Sequence, residues 1–299
     1  MPMPFTNHRD FRERVLSQKT VWSAGTYDAL SARYIEQAGF DAVMTSGFGV
    51  SASVLGMPDA ELYTMSENLS VVRNVANVVN IPVVADIDTA YGNAINAMRT
   101  IREFEATGVA AVIMEDQVSP KRCPICVGGV EIIPVDEAVG KISAAVEARR
   151  NSNMLIIART DAATEEEAIH RAKAYVAAGA DVIQPISKCF KSIEGLRTLR
   201  QEAGVPLSLQ VLGWLEKDLS PAEIESVAGM ATFALVPLMT AAQALQENLK
   251  QLIADKTARN LPRPVENHEN FLEFIGFKEI EAQQLKYLNQ KPSTTYEAA

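Results

Sequence analysis

Two aspartates in the stretch DIDTAYGN, Asp86 and Asp88, are spaced so that both side chains leave one face of an extended chain. Carboxylates held this close repel each other unless a cation neutralises them, and hard oxygen donors suit Mg2+ or Mn2+. Glu115, in IMEDQ, adds a third candidate oxygen. The same acids could instead be strand-end caps or partners in structural ion pairs. Arg159, in IARTDA, is suited to bidentate recognition of a carboxylate or phosphate, or to an ion pair with Asp161 two residues on. The stretch SGFG at 46–49, with Ser46, Gly47 and Phe48, offers backbone amides for a second anionic group. In KRCPIC, residues 121–126, Cys123 follows Lys121 and Arg122, whose positive charge favours the reactive thiolate. In a long loop over a site such a thiol can act as acid or base.

The C-x-x-C spacing of Cys123 and Cys126 could also signal a redox pair or half of a zinc site. The chain has only three cysteines and three histidines, and His8, His170 and His268 do not complete a four-ligand zinc set. Chance spacing around one working thiol is the preferred account, and Cys189, next to Phe190, reads as a packed small hydrophobe. The composition, 47% hydrophobic and 22% charged with a formal charge of −9, is that of an ordinary enzyme. The acidic balance argues against nucleic acid or an anionic membrane as partner. No apolar run reaches a membrane span and the first residues lack the apolar core of a signal peptide, so a cytoplasmic location is expected.

The elements that must position these residues repeat eight times. Continuous apolar runs stand at 20–25, 41–47, 82–88, 110–116, 155–161, 181–186, 206–211 and 232–237. Such runs are what strands buried on both faces look like, with helical segments between them. In TEEEAIHRAKAYVAAGADV, Thr164 and Glu167 have capping-box spacing and Gly179 can end the helix in the left-handed conformation. The same junction recurs at Gly39, Gly108, Gly204 and Gly229. Eight such units predict a (β/α)8 barrel, with a doubly wound sheet as the runner-up. The two longest connections follow strands two and four, and KRCPIC lies in the second of them, on the face where barrel enzymes keep their sites. The expected organisation is a catalytic barrel over 1–257, a helical extension over 258–291 and a loose tail over 292–299. The extension carries Phe271, Phe274, Ile275, Ile280, Leu285 and Leu288, apolar surface suited to packing on another subunit.

Taken together, YDALSARYIEQAGFDAVMTSGFGVSAS, GMPD, VVADIDTAYGNA, EFEATGVAAVIMEDQVSPKRC, IIARTDA and AAGADVI resemble the isocitrate lyase and phosphoenolpyruvate mutase superfamily, in particular its methylisocitrate lyase-like members. The resemblance runs from about residue 20 to 250. It implies a Mg2+-dependent barrel whose last helix is exchanged between neighbours, commonly in a homotetramer. It further implies metal-site carboxylates at Asp59, Asp86, Asp88 and Glu115, some acting through water. Ser46, Gly47 and Arg159 match groups that hold an α-keto or α-hydroxy acid, with Phe48 and Gln210 beside them. Cys123 matches the lyase cysteine that protonates the enolate, with Lys121 and Arg159 as further candidate catalytic residues.

The departures from the family pattern concern the far end of the pocket. Pro124 and Ile125 stand where the lyases have Gly-His, Ile186 where they have glutamate, Gln210 near an asparagine position, Met44 for tyrosine and Ala90 for glycine. The expected activity is cleavage of an alkylmalate-type 2-hydroxy dicarboxylate to an α-keto acid and a carboxylic acid. The alternatives are phosphonate-type phosphoryl mutation, oxaloacetate decarboxylation or hydrolysis, and a barrel that binds an α-keto acid without turnover.

Overall fold

The computed structural model describes residues 8–17, 19–122, 129–186 and 188–288. Eight parallel strands close on themselves in chain order: β1 (Val21–Thr26), β2 (Ala42–Thr45), β3 (Val83–Asp86), β4 (Ala111–Glu115), β5 (Leu155–Thr160), β6 (Val182–Pro185), β7 (Leu207–Gln210) and β8 (Ala228–Phe233). The barrel forms because most strands are apolar on both faces, β7 (LSLQ) being the strand whose inner face, Ser208 and Gln210, is polar. Val21, Met44, Val84, Ile113, Ile157 and Met230 belong to one buried cluster, inside the barrel, and Val43, Val83, Val112, Ile156, Ile183 and Leu209 join the larger layer under the surrounding helices.

Four of the five expected glycine junctions take the left-handed conformation: Gly39, Gly108, Gly179 and Gly204 have φ of 90°, 85°, 103° and 73°. Gly229 does not. It lies inside β8, which begins four residues earlier than the apolar run at 232–237 suggests. A Cβ there would stand 2.3 Å from the Val15 carbonyl oxygen, so this glycine lets the N-terminal helix His8–Leu16 approach the barrel. Phe11 and Val15 of that helix are buried with the barrel's inner cluster. Thr164 caps its helix by accepting from the Glu167 N–H at 3.2 Å, but the Glu167 carboxylate turns to Arg171 at 2.7 Å instead of completing a capping box.

The described residues group into two compact units, one reaching Thr240 and the other starting at Ala241. The division lies within the helix Val236–Asp255, ahead of the linker NLPRPVE. The second unit contains the remainder of that helix and the helices His268–Ile275 and Phe277–Tyr287, none of which has a buried residue. Among the described residues no helix is long and apolar enough to cross a membrane.

Candidate active site

The C-terminal ends of β2 to β5 carry the charge. Asp86 ends β3, but Asp88 lies beyond the strand at φ 49°, so alternation along a strand does not align the pair. A left-handed turn does, with the Asp88 N–H donating to Asp86 Oδ1 at 3.1 Å. Ala90 and Tyr91 continue the turn at φ 63° and 58°, which accounts physically for the family's glycine at the Ala90 position. Asn68 braces the loop from below through the Asp86 carbonyl and the Tyr91 hydroxyl, both at 2.8 Å.

Ser46 caps a short helix, Gly47–Val50, accepting from the Gly49 N–H at 3.3 Å, and the chain continues into a wider π-helical turn, Ser51–Leu55. The Gly47 N–H points at Asp86 Oδ2, 3.2 Å away, so this amide serves the carboxylate cluster rather than a second anion. A side chain here would displace its neighbours: a Cβ would stand 2.9 Å from Tyr63 Oη, 3.0 Å from Asp88 Oδ1 and 3.1 Å from Asp86 Oδ2.

Lys121 is buried among the acids. Its Nζ is 2.6 Å from Asp88 Oδ1, 3.0 Å from Asp59 Oδ1 and 3.8 Å from Glu115 Oε1. Burial opposes its charge, yet Asp88, Glu115, Asp59 and Asp86 together hold its ammonium well above the ordinary lysine range. Arg159 makes the ion pair with Asp161 that its spacing offered, Oδ1 at 2.9 Å, and a second with Glu115 Oε2 at 2.7 Å, while it also lines the cavity above the barrel. Burial raises Asp59 and Glu115, and pushes Asp86 up to about 6, against the pull of Lys121 and Arg159. Five carboxylates (Asp59, Asp86, Asp88, Glu115, Asp161) face two cations (Lys121, Arg159), leaving three negative charges unbalanced when all are ionised.

That excess, with the buried Glu115 Oε1 left without a donor within hydrogen-bond distance, fits a hard divalent cation. Among the described residues, no three His, Cys, Asp or Glu side chains close around one point as a metal cage. A donor set of carboxylate oxygens suits Mg2+, which keeps several waters and takes few direct protein ligands.

The other half of the mouth is uncharged at its floor. Gln184 Oε1 accepts from Ser208 Oγ at 2.8 Å and from Gln210 Nε2 at 3.2 Å, and Gln210 Oε1 is buried without a hydrogen-bond partner. A cavity of about 570 Å³ spans both halves, with Ser46, Phe48, Asp59, Asp86, Arg159 and Gln210 among its lining. Met44, Ile186, Leu212, Trp214 and Leu235 form its apolar wall, and Lys188 and Lys191 also line it. All the sequence candidates but one thus meet in one region. Cys123, with Cys126, lies outside the described residues. The loop that holds it is closed at its base by the Gln117–Ile132 bridge, with the Val118 N–H on the Glu131 carbonyl at 2.9 Å.

Sequence reasoning missed Tyr63, Asn68, Tyr91, Glu61 and Gln184. Burial and the charges of Asp88 and Asp86 keep the Tyr63 phenol protonated far above the ordinary range. Gln184 alone left a signal, as a polar residue inside the apolar run DVIQPI.

Residues 11–253 match the family model described as phosphoenolpyruvate phosphomutase. The chain is 37% identical over 284 residues to 2,3-dimethylmalate lyase of Eubacterium barkeri, covering 92% of this chain and 96% of that one. It is 40% identical over 217 residues to an oxaloacetate decarboxylase of Pseudomonas putida strain GB-1, covering 71% and 74%. Among solved structures, phosphonopyruvate hydrolase in complex with oxalate and Mg2+ is similar with a TM-score of 0.85 and 30% identity, covering 95% of this chain and 99% of that one.

Proposed function

We propose, from the premise that this chain belongs to the isocitrate lyase and phosphoenolpyruvate mutase superfamily, that it is a Mg2+-dependent lyase. It breaks a carbon–carbon bond of an alkylmalate-type 2-hydroxy dicarboxylate, giving an α-keto acid such as pyruvate and a carboxylic acid. The observation that carries this reading is the division of one cavity into a charged half at β2–β5 and an apolar-walled half bounded by Ile186, Leu212, Trp214 and Leu235. A hydroxy-acid head suits the first and an alkyl branch the second.

Asp59, Asp86, Asp88 and Glu115 would hold the metal, whose chemistry when bound is to polarise the α-hydroxy carboxylate and ease loss of its proton. Arg159 orients the carboxylate of the substrate head, with Ser46 and Phe48 beside it. As the carbon–carbon bond breaks, its electron pair remains on the departing fragment as an enolate, and the hydroxyl carbon becomes the keto carbon. The ammonium of Lys121 and the guanidinium of Arg159 are fixed positive charges in a water-poor site, placed to stabilise that developing charge. Cys123 delivers the proton that completes the carboxylic acid. Gln210 Oε1 is left to accept a hydrogen bond from the substrate.

Lys188 and Lys191 along the same cavity could also meet a phosphonate or a second carboxylate, which makes phosphonopyruvate and oxaloacetate the competing substrates. The test is α-keto acid release from a panel of 2-alkylmalates, oxaloacetate and phosphonopyruvate, each with Mg2+ and with EDTA. Metal-dependent keto acid from a branched malate is expected. Turnover of oxaloacetate or phosphonopyruvate alone would replace the reading, and silence throughout would leave a binding protein.

The same reading includes a homotetramer with exchanged C-terminal helices. Its support is an apolar stripe on the helix Val236–Asp255, where Leu245, Leu249, Leu252 and Ile253 recur at helical spacing and Ile253 is 73% exposed.

A further inference from the structure

The carboxylate of Glu61 joins three loops at the barrel mouth. Glu61 stands in the loop after β2, two residues beyond Asp59. Its Oε1 accepts from Thr89 Oγ1, in the loop after β3. Its Oε2 accepts from Ser119 Oγ at 2.7 Å and from the backbone N–H of Lys121 at 3.0 Å, both in the loop after β4. The Thr89 carbonyl is in turn held by the buried Lys141, whose Nζ donates to it at 2.5 Å. The knot ends at Lys121, whose main chain Glu61 holds and whose ammonium reaches Asp59 and Asp88.

Glu61 also sits at φ 54°, in the left-handed region where a glutamate is strained and a glycine is not. A side chain retained at such a backbone, with three donors converging on its two oxygens, is over-determined by its surroundings. We propose that Glu61 is a positioning residue: by fixing the main chain of Lys121 against the loops after β2 and β3, it aims the Lys121 ammonium into the carboxylate cluster. The residue touches no substrate and acts only through Lys121.

The experiment compares wild type, Glu61→Gly and Glu61→Gln. Glycine relieves the backbone and removes the carboxylate, whereas glutamine keeps an oxygen acceptor for the Lys121 N–H. Circular dichroism and Tm establish that each variant folds. Amine labelling of the metal-free protein, read by peptide mass spectrometry at Lys121, reports where the ammonium is without any turnover, so it decides the matter even if the substrate reading fails. In Glu61→Gly the Tm is expected to stay close to wild type while Lys121 labelling rises about tenfold, because opening of that site becomes easier. With a substrate in hand, kcat is expected to fall on the order of 100-fold with KM changing far less, the signature of a misplaced reacting group. Glu61→Gln should restore both protection and kcat. Lys121 as protected in Glu61→Gly as in wild type, or a glutamine variant no better than the glycine one, would overturn the proposal.

Discussion

Replacing Asp86 by asparagine removes one titrating carboxyl while keeping its shape, and the consequence can be worked out with its sign. In the metal-free protein burial, opposed by Lys121 and Arg159, pushes Asp86 up to about 6 from an ordinary 3.8. A folded-state value above the unfolded one means that the folded chain binds the proton more tightly. The stability this contributes is present below pH 3.8 and is lost as pH rises through about 6. At about 1.36 kcal/mol per pH unit, the whole loss is about 3 kcal/mol, most of it between pH 4 and pH 7. The asparagine variant escapes that loss but bears a constant cost. Its single oxygen cannot accept from both the Gly47 and the Asp88 N–H, which costs about 1 kcal/mol. Urea denaturation in EDTA should therefore find wild type more stable than the variant at pH 4 by about 0.4 kcal/mol and less stable at pH 8 by about 2 kcal/mol. Mg2+ at about 100 times its Kd should return about 2.7 kcal/mol to wild type at pH 8, and less to the variant. A wild-type-to-variant gap that is the same at pH 4 and pH 8 would refute the reasoning.

Gly47→Ala should destabilise by about 1–3 kcal/mol and lower activity, because its Cβ meets the Tyr63 hydroxyl and the Asp86 and Asp88 carboxylates, which are fixed by their own bonds. Thermal melts check the first effect, and an unchanged Tm would mean that the cluster is loose. Sedimentation equilibrium should find the full chain as a tetramer, and Leu249→Glu with Ile253→Glu should reduce its order without unfolding the barrel. A monomeric wild type would end the exchange reading.

The barrel was legible because its physics is local. A strand buried on both faces must be apolar throughout, and a helix that turns straight into a strand calls for a left-handed residue, which Gly39, Gly108, Gly179 and Gly204 supply. Gly229 follows the same pattern in sequence for a different reason, since the carbonyl of Val15, more than 200 residues away along the chain, demands the space. The position of β8 was misread with it. Asp86, Glu115 and Arg159 were found because strand ends position them, Asp88 was found by an alternation that the structure replaces with a left-handed turn, and Asp59 came only from the family resemblance.

What sequence spacing could not convey is which charges compensate which. Lys121 looked like a neighbour that activates a thiol, yet its ammonium lies within a cluster of carboxylates gathered from two loops and the end of β4. Its role depends on the pairing of β2 with β3 and of β3 with β4, because that side-by-side order brings the loops after the three strands within one side chain's reach of Glu61. An isolated glutamate in a loop has no periodicity to mark it, and a left-handed φ is invisible unless the residue is glycine or asparagine. The departures at Ile186 and Gln210, read from sequence as lost polar groups, take a different meaning in the fold. They form a floor and wall without charge of their own, next to Lys188 and Lys191, in a cavity whose opposite side has more negative charge than its own lysine and arginine balance. A site divided in this way favours a ligand that is itself divided, anionic at one end and apolar at the other. Oxaloacetate has no apolar end to offer, so on the proposed reading a branched malate is the substrate expected to be preferred, and the keto acid release panel tests that expectation.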